Sequence, residues 1–224
     1  MNVLITGCSR GIGKAMLDIL IARPDVEKIY ALSSNAEINF LSRKVVKISV
    51  DFLSEHWEEN LKRTVDNNIL HVVINNAGYL YKGDIEVTSQ EEIYKMYRIN
   101  YFGPLRIIQI LLPNIKEGKA HLVNIGSMGG FSGSAKYPGL SVYSSSKAAL
   151  ANLSECWAEE LKVYGVKSNC LALGAVDTEM LQNAFPGYKS EVSSELMASR
   201  IIDFAFNYSE VINGKILSFS LSTP

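Results

Sequence analysis

A tyrosine and a lysine stand four positions apart in the segment YSSSK at positions 143–147. The segment opens a predicted helix, so the side chains of Tyr143 and Lys147 share one helical face. A free phenol has a pKa of about 10 and is a poor acid–base catalyst near neutrality. A nearby ammonium favours the phenolate and would lower that pKa toward the working pH. The pair predicts a proton donor and acceptor at Tyr143, although a packed tyrosine beside a solvated lysine has the same spacing.

Two further polar residues fall where a catalytic site could use them. Ser127 ends a predicted strand, and its hydroxyl can donate to a substrate carbonyl oxygen as negative charge develops there. Asn100 stands four residues before Pro104, which has no N–H to give the Asn100 carbonyl. That carbonyl needs another partner, and water is a natural one. A turn serine and a helix kink without catalytic roles are the plainer interpretations.

A glycine-rich turn, TGCSRGIG at positions 6–13, follows the first predicted strand and precedes a helix. Glycines let the backbone turn tightly and approach a pyrophosphate, and the helix N-terminus supplies free N–H groups. The spacing is GxxxGxG rather than the GxGxxG of the general dinucleotide fingerprint. In this strand–turn–helix context, the turn predicts binding of a dinucleotide phosphate.

These motifs, in this order, resemble the short-chain dehydrogenase/reductase family over nearly the whole sequence. The family's NNAG occurs at positions 75–78, after the fourth predicted strand. The positions of its catalytic tetrad correspond to Asn100, Ser127, Tyr143 and Lys147. The resemblance implies that Ser127 orients the substrate, that Lys147 binds the nicotinamide ribose and that Asn100 holds a water in a proton relay. Sixteen positions separate Ser127 from Tyr143, slightly more than the family usually shows, so an enlarged loop is expected between them.

Two features favour NADP(H) over NAD(H) as the cofactor. NAD-preferring Rossmann proteins usually place an acid after the second strand, where it hydrogen-bonds the ribose 2′-hydroxyl. Here that region reads ALSSN, with no carboxylate, and the polar groups of Ser33, Ser34 and Asn35 could donate to a 2′-phosphate. Arg10 matches a position where NADP-preferring relatives often carry a basic residue.

The remaining cofactor contacts are implied by the resemblance. Asp51 corresponds to the family's acid near the adenine, although its side chain could equally cap a helix. After the sixth strand this chain has Leu173-Gly174 where the family commonly shows Pro-Gly, yet two positions that bind the nicotinamide carboxamide still match. The predicted cofactor-binding residues are Gly7, Ser9, Arg10, Gly11, Ile12, Gly13, Ser33, Ser34, Asp51, Phe52, Asn76, Ala77, Gly78, Tyr143, Lys147, Gly174, Val176 and Thr178.

Short β-branched runs alternate with helical patterns along the chain. Runs that read as strands lie at 2–6, 28–33, 44–50, 70–75, 121–126, 167–173 and 215–220. Most are continuously apolar, as expected for strands covered on both faces. Helices are predicted near 12–22, 54–67, 90–115, 144–164 and 193–207. The expected fold is α/β: a single-domain doubly wound parallel sheet (Rossmann fold) of about seven strands over residues 1–224, with helices on both faces.

Two long loops, near 131–140 and 174–194, follow the carboxyl ends of strands, where open α/β sheets bind ligands. The second has room for one short helix. These predicted substrate loops carry Phe131, Tyr137, Met180, Leu181, Phe185 and Tyr188. Such side chains favour a partly apolar pocket for a small aldehyde, a ketone or a hydrophobic alcohol.

Composition excludes several other classes of protein. Apolar residues make up 47% of the chain and charged residues 20%, which is ordinary for a globular protein. The formal net charge of −1 and the lack of a basic run argue against a nucleic-acid partner. The three cysteines and three histidines lack ligand spacing, so no metal site is expected. Because no signal sequence or membrane-length apolar segment is found, a cytoplasmic protein without membrane contact is expected.

The sequence therefore predicts an NADP(H)-dependent oxidoreductase that interconverts a carbonyl compound and an alcohol, with Tyr143 as general acid and base. The main alternative is a non-catalytic dinucleotide-binding redox sensor, which would not need the tyrosine, lysine and serine together. A methyltransferase would want an acid after the second strand and leaves Tyr143 and Lys147 unexplained. The resemblance also implies a homodimer or homotetramer formed through the helices near 90–115 and 144–164.

Overall fold

The computed structural model describes residues 1–34 and 42–221. Within these residues, seven parallel strands form one sheet in the order β3-β2-β1-β4-β5-β6-β7. They are β1 (Asn2–Thr6), β2 (Lys28–Ser33), β3 (Val45–Ser49), β4 (Val72–Asn75), β5 (His121–Ser127), β6 (Lys167–Leu173) and β7 (Ile216–Phe219). The bounds of each strand lie within two residues of the predicted ones. The apolar runs predicted them well because strands covered on both faces are continuously apolar.

Helices cover both faces of this sheet. They are α1 (Gly11–Ala22), α2 (Trp57–Val65), α3 (Gln90–Tyr97), α4 (Gly103–Ile110), α5 (Leu112–Glu117), α6 (Ser141–Glu160), α7 (Glu179–Ala184) and α8 (Ser194–Asn207). Successive side chains of a strand point to opposite faces, so Val3 and Ile5 pack with α1 and α8. Leu4 packs in a second core with α2, α4, α5 and α6. The predicted α/β doubly wound sheet is confirmed.

The strand order reverses at β1, which pairs with β2 on one side and with β4 on the other. Chain segments leaving β1 and β4 therefore turn toward opposite sides, and a crevice opens outside their carboxyl ends. Ligands of open α/β sheets bind at such a switch point. The motifs at positions 6–13 and 75–78 lie there, as do the ends of β2 and β5.

The helical stretch predicted near 90–115 consists of three helices, and the predicted disruption before Pro104 is confirmed. α3 ends at Tyr97, and Arg98–Phe102 form a π-helical turn in which the N–H of Gly103 donates to the carbonyl of Arg98. Pro104 cannot donate to the Asn100 carbonyl, so the usual α-helical bond is impossible at that step. A single wider turn takes its place, as in other π-bulges. Pro113 likewise lies in the first turn of the separate helix α5.

Candidate active site

The glycine turn between β1 and α1 makes the closest backbone approaches at the crevice. Gly7 and Gly11 have φ values of 71° and 53°, in the left-handed region that favours glycine. A Cβ on Gly13 would collide with the carbonyl of Gly7, so a larger residue cannot occupy that position. α1 begins at Gly11 and directs its free N–H groups into the crevice. This cradle suits the pyrophosphate of a dinucleotide.

The NNAG segment is tied directly to the glycine turn. Thr6 Oγ1 accepts hydrogen bonds from the backbone N–H groups of Asn76 (3.0 Å) and Ala77 (2.8 Å). The Asn76 side chain donates in return to the carbonyls of Thr6 (2.9 Å) and Gly7 (3.2 Å). The two predicted cofactor-binding motifs therefore form one hydrogen-bonded unit across β1 and β4.

Asn100 is fully buried, and its side chain joins three segments of the chain. Its Oδ1 accepts from the backbone N–H of Tyr79 at 2.8 Å, and its Nδ2 donates to the Tyr79 carbonyl at 2.9 Å. The same Nδ2 also donates to Ser146 Oγ at 2.9 Å. Ser146 in turn donates to the carbonyl of Tyr143 at 2.7 Å. The sequence did not single out Tyr79 or Ser146, and their role depends on contacts between distant segments that spacing does not show.

Lys147 is buried beside Asn100 and Gly78. Its Nζ donates to the carbonyl of Ile125 at 2.8 Å. A Cβ on Gly78 would lie 3.3 Å from Lys147 Nζ and 3.5 Å from Asn100 Oδ1, so this glycine leaves room for the ammonium. Burial lowers the pKa of Lys147 from its ordinary 10.5 to about 8. Lys147 is therefore a buried cation whose charge can be lost at mildly alkaline pH.

Tyr143 is also buried and hydrogen-bonds to the side chain of Ser127. Burial raises the pKa of Tyr143 above its ordinary value, and the bond to Ser127 offsets this in part. The expected lowering of that pKa by Lys147 is not found, because desolvation dominates at this tyrosine and the ammonium of Lys147 is bonded to Ile125. The tyrosine is therefore held protonated, as a proton donor must be.

Two glycines that the sequence analysis overlooked place Ser127 against α6. Gly129 donates its N–H to Ser127 Oγ at 3.2 Å, within a 3-10 turn over Met128–Gly130. A Cβ on Gly130 would lie 2.6 Å from the backbone nitrogen of Ala148, and one on Gly129 would lie 2.8 Å from Ser144 Oγ. The paired glycines directly after Ser127 are the sequence signal for this close packing. The loop then continues to Leu140, the residue before α6.

The predicted residues meet in one cleft of about 630 Å³, a size typical of ligand pockets. Every predicted cofactor-binding residue lines it, except Asn35, which was considered as a phosphate donor and lies outside the described residues. Ser127, Tyr143 and Lys147 line it as well, whereas Asn100 lies behind them. The structure thus brings the chemical residues to one end of the cleft and the glycine turn to the other.

Two residues predicted to contact the adenosine half of the cofactor are bonded to other residues of the protein. Asp51 Oδ1 accepts from the backbone N–H of Leu53 at 2.9 Å. Since α2 begins only at Trp57, the alternative role of Asp51 as a helix cap is wrong. Arg10, predicted to bind a 2′-phosphate, forms an ion pair with Glu179 at 2.7 Å (Nη1 to Oε2).

The second substrate loop contains α7, the short helix expected there, and together the two loops enclose the chemical end of the cleft. Thr178 caps α7 by accepting from the N–H of Leu181 at 3.2 Å. The rings of Tyr137 and Phe185 meet edge to face with centroids 6.3 Å apart, and Lys82 Nζ lies 4.1 Å from the Phe185 centroid. Of the large side chains predicted for the pocket, the cleft is lined by Tyr137, Met180, Leu181 and Phe185 but not by Phe131 or Tyr188.

The family model described as short chain dehydrogenase matches residues 1–189, which is more than half of the chain. The chain belongs to the short-chain dehydrogenase family. A short-chain dehydrogenase of this family from Penicillium ochrochloron, ptmH, is 30% identical in an alignment that covers 97% of this chain and 84% of the relative. The match over nearly the whole sequence therefore indicates the same family as the motifs and the fold.

Solved structures extend the likeness to nearly the full length. ElxO with NADP bound superposes with a TM-score of 0.83 at 26% identity, covering 98% of this chain and 96% of that one. 4-Hydroxyisoleucine dehydrogenase complexed with NADH gives a TM-score of 0.86 at 19% identity, covering 99% and 97%. The family thus binds nicotinamide dinucleotides, and its members differ in whether NADP or NADH is bound.

Metal and membrane features complete the description. Within residues 1–34 and 42–221, no group of three or more His, Cys, Asp or Glu side chains is arranged to hold a metal ion. In the same residues no helix has the length and apolar character needed to cross a bilayer.

Proposed function

We propose that this oxidoreductase interconverts a carbonyl compound and an alcohol with NADP(H), using Tyr143 as general acid and base. One observation carries the proposal: the buried Tyr143 shares with Ser127 and Lys147 the cleft that also contains the glycine turn. Lys147 lies one helical turn from Tyr143 and is buried in the same place. This is the arrangement needed to protonate an oxygen near a bound dinucleotide.

Each residue has a definite task in the reduction. When bound, the cofactor supplies the hydride to the carbonyl carbon. Tyr143 transfers its proton to the carbonyl oxygen, and the hydroxyl of Ser127 donates a hydrogen bond to that oxygen as negative charge develops. Lys147 carries a positive charge at neutral pH, and we assign it to the ribose of the nicotinamide half of the cofactor.

Asn100 acts here through its neighbours. Its side chain is engaged with Tyr79 and Ser146, so it holds the start of α6 and the NNAG segment at a fixed separation. Its backbone carbonyl lies within the π-helical turn and is the atom we assign to a water that returns protons from solvent. The side chain is a positioning group, and the carbonyl is the relay group.

The preference for NADP(H) is supported by charge around the end of β2. Ser33 and Ser34 line the cleft there and Arg10 lies at the same rim, while the carboxylate of Asp51, after the neighbouring strand β3, accepts from the backbone N–H of Leu53. A dianionic 2′-phosphate needs such a cation, whereas an acid would favour the 2′-hydroxyl of NAD(H).

The substrate class follows from the chemical end of the cleft. Its walls are mainly apolar, with Met128, Leu140, Met180, Leu181 and Phe185 around the approach to Tyr143. We expect a small aldehyde, a ketone or a hydrophobic alcohol. A panel of carbonyl compounds tests this, and reaction of strongly anionic substrates alone would contradict it.

The proposal is tested first by titrating the purified protein with NADPH and NADH while following nicotinamide fluorescence. Tight NADPH binding with much weaker NADH binding is the expected result. The reverse preference would overturn the assignment of NADP(H) and leave the enzyme class intact. Binding of neither cofactor would overturn the proposed activity.

We further propose a cytoplasmic homodimer or homotetramer built from a single domain over residues 1–224. The surfaces of α3 to α5 and α6 supply the contact, and exposed apolar side chains on the first of these surfaces include Tyr94 and Phe102. Light scattering at micromolar concentration should give at least twice the chain mass of 24.8 kDa. A clean monomer would contradict the oligomer.

A further inference from the structure

An ion pair crosses the rim of the cleft between two distant parts of the chain. Arg10 belongs to the glycine turn, and Glu179 is the first residue of α7 in the second substrate loop. Their side chains meet at 2.7 Å while remaining 68% and 61% exposed. The backbone of Gly11 also lies near the side chain of Thr178, because a Cβ on Gly11 would lie 3.6 Å from Thr178 Cγ2. Glu179 therefore lies within contact distance of the guanidinium predicted to bind the 2′-phosphate.

Glu179 is unusual among the groups around the cleft. Of the described residues lining it, the carboxylates are Asp51 and Glu179. Asp51 accepts a hydrogen bond from the backbone of Leu53, whereas Glu179 binds the side chain of Arg10. A negative charge at this rim of the cleft is thus supplied from α7.

We infer that Glu179 is a specificity-determining residue that competes with the 2′-phosphate of NADP(H) for Arg10. The inference rests on the proposed function, in which Arg10 receives that phosphate. The carboxylate of Glu179 occupies Nη1 of the guanidinium and offsets part of its positive charge, so a phosphate that binds Arg10 competes for that donor and for that charge. NAD(H) carries a 2′-hydroxyl and leaves the ion pair undisturbed. Glu179 therefore weakens binding of NADP(H) and has little effect on NAD(H).

The physical scale of the competition is modest. An exposed ion pair contributes little free energy in water, so its loss changes an equilibrium by about two- to five-fold. Loss of a charge-assisted bond between Arg10 and a phosphate has a larger effect, of about ten-fold or more. The two residues should therefore act in opposite directions and with different magnitudes.

The test measures dissociation constants of NADPH and NADH for four proteins: the unchanged chain, Glu179→Gln, Arg10→Met and the double variant. Glu179→Gln should tighten NADPH binding about two- to five-fold and leave NADH unchanged. Arg10→Met should weaken NADPH binding about ten-fold or more, and in that background Glu179→Gln should have no further effect. Glu58→Gln, which breaks the exposed ion pair with Arg106 away from the cleft, is the matched control and should change neither constant.

The outcomes separate this inference from the proposed function. If Arg10→Met weakens NADPH binding while Glu179→Gln has no effect, the competition is overturned and the assignment of NADP(H) stands. Equal changes for NADPH and NADH in Glu179→Gln would also overturn it, because the phosphate would then play no part. Tightening by Glu179→Gln that persists in the Arg10→Met background would show direct repulsion instead of competition. If the unchanged protein prefers NADH and Arg10→Met affects neither cofactor, both proposals fail.

Discussion

The two ends of the cleft are built on different physical principles. At the chemical end, Asn100, Tyr143 and Lys147 are buried and hydrogen-bonded to backbone or to neighbouring side chains. At the cofactor rim, Arg10 and Glu179 are largely exposed and are joined by one charge-assisted hydrogen bond. Burial makes the first arrangement rigid and costly to alter, whereas water screens the second and makes it easy to change. The chemistry of this fold is therefore fixed more firmly than its choice of cofactor.

The largest effect that separates the two ends is expected from Tyr143→Phe. The variant keeps the ring and its packing but has no proton to donate, so turnover should fall about 10²- to 10⁴-fold. NADPH binding, measured by fluorescence titration, should stay within about two-fold, since the rim is untouched. Near-normal turnover would remove Tyr143 from its assigned role.

Asn100→Ala should lower the free energy of unfolding, because it removes buried contacts at the chemical end of the cleft. The substitution removes three buried hydrogen bonds and leaves both backbone groups of Tyr79 without their partner. The free energy of unfolding should fall by about 2 to 4 kcal/mol, as read from urea denaturation. Asn152→Ala, at an exposed position on α6, is the control and should change stability by less than about 0.5 kcal/mol. A similar loss in both variants would contradict a special role for Asn100.

Lys147→Met should stabilise the folded protein, because it removes a buried charge at the chemical end of the cleft. The folded-state pKa of about 8 lies below the ordinary 10.5, so burying the charged ammonium is unfavourable below pH 8. As pH rises from 8 to 10.5, the unfolded chain binds more protons and this contribution makes the folded state more stable. At pH 7 the free energy of unfolding of the variant should exceed that of the unchanged protein by about 1 to 3 kcal/mol. This difference should shrink as the pH rises toward 10.5. Activity should be lost at every pH; a difference in stability that does not vary with pH would sink the explanation.

The smallest effect on folding is expected at the rim. Glu179→Gln breaks an exposed ion pair, so the free energy of unfolding should change by less than about 1 kcal/mol. Urea denaturation in low and in high salt gives the measurement, with Glu58→Gln as a second exposed pair for reference. A loss comparable to that of Asn100→Ala would erase the contrast between the two ends.

Much of the fold could be predicted because its signals are local. The strands are continuous apolar runs, and the glycine turn and the segment YSSSK can be recognised within a few residues. The interruption near Pro104 could be predicted in part, since a missing N–H is a property of one residue. The partners of the Asn100 side chain, Tyr79 and Ser146, could not be predicted, because they lie in distant segments of the chain.

The partner of Arg10 was likewise outside the reach of the sequence. Glu179 lies 169 positions further along the chain, and a surface ion pair leaves no pattern in spacing or composition. The raised pKa of Tyr143 could not be predicted for a related reason. Its helical spacing to Lys147 predicts that the two side chains are close but does not indicate how far the tyrosine is desolvated. Distances along the chain predicted which residues meet, and burial determined how they behave.

The π-helical turn at Arg98–Phe102 gives the segment between Ser89 and Pro104 a fixed length. Such a turn holds one residue more than the α-helix it replaces. Deleting one residue there would remove the wider turn and displace Asn100 from its hydrogen bonds with Tyr79 and Ser146. Insertions and deletions in this segment should therefore be tolerated far less than substitutions of its exposed residues. The active site depends here on the number of residues as much as on their identity.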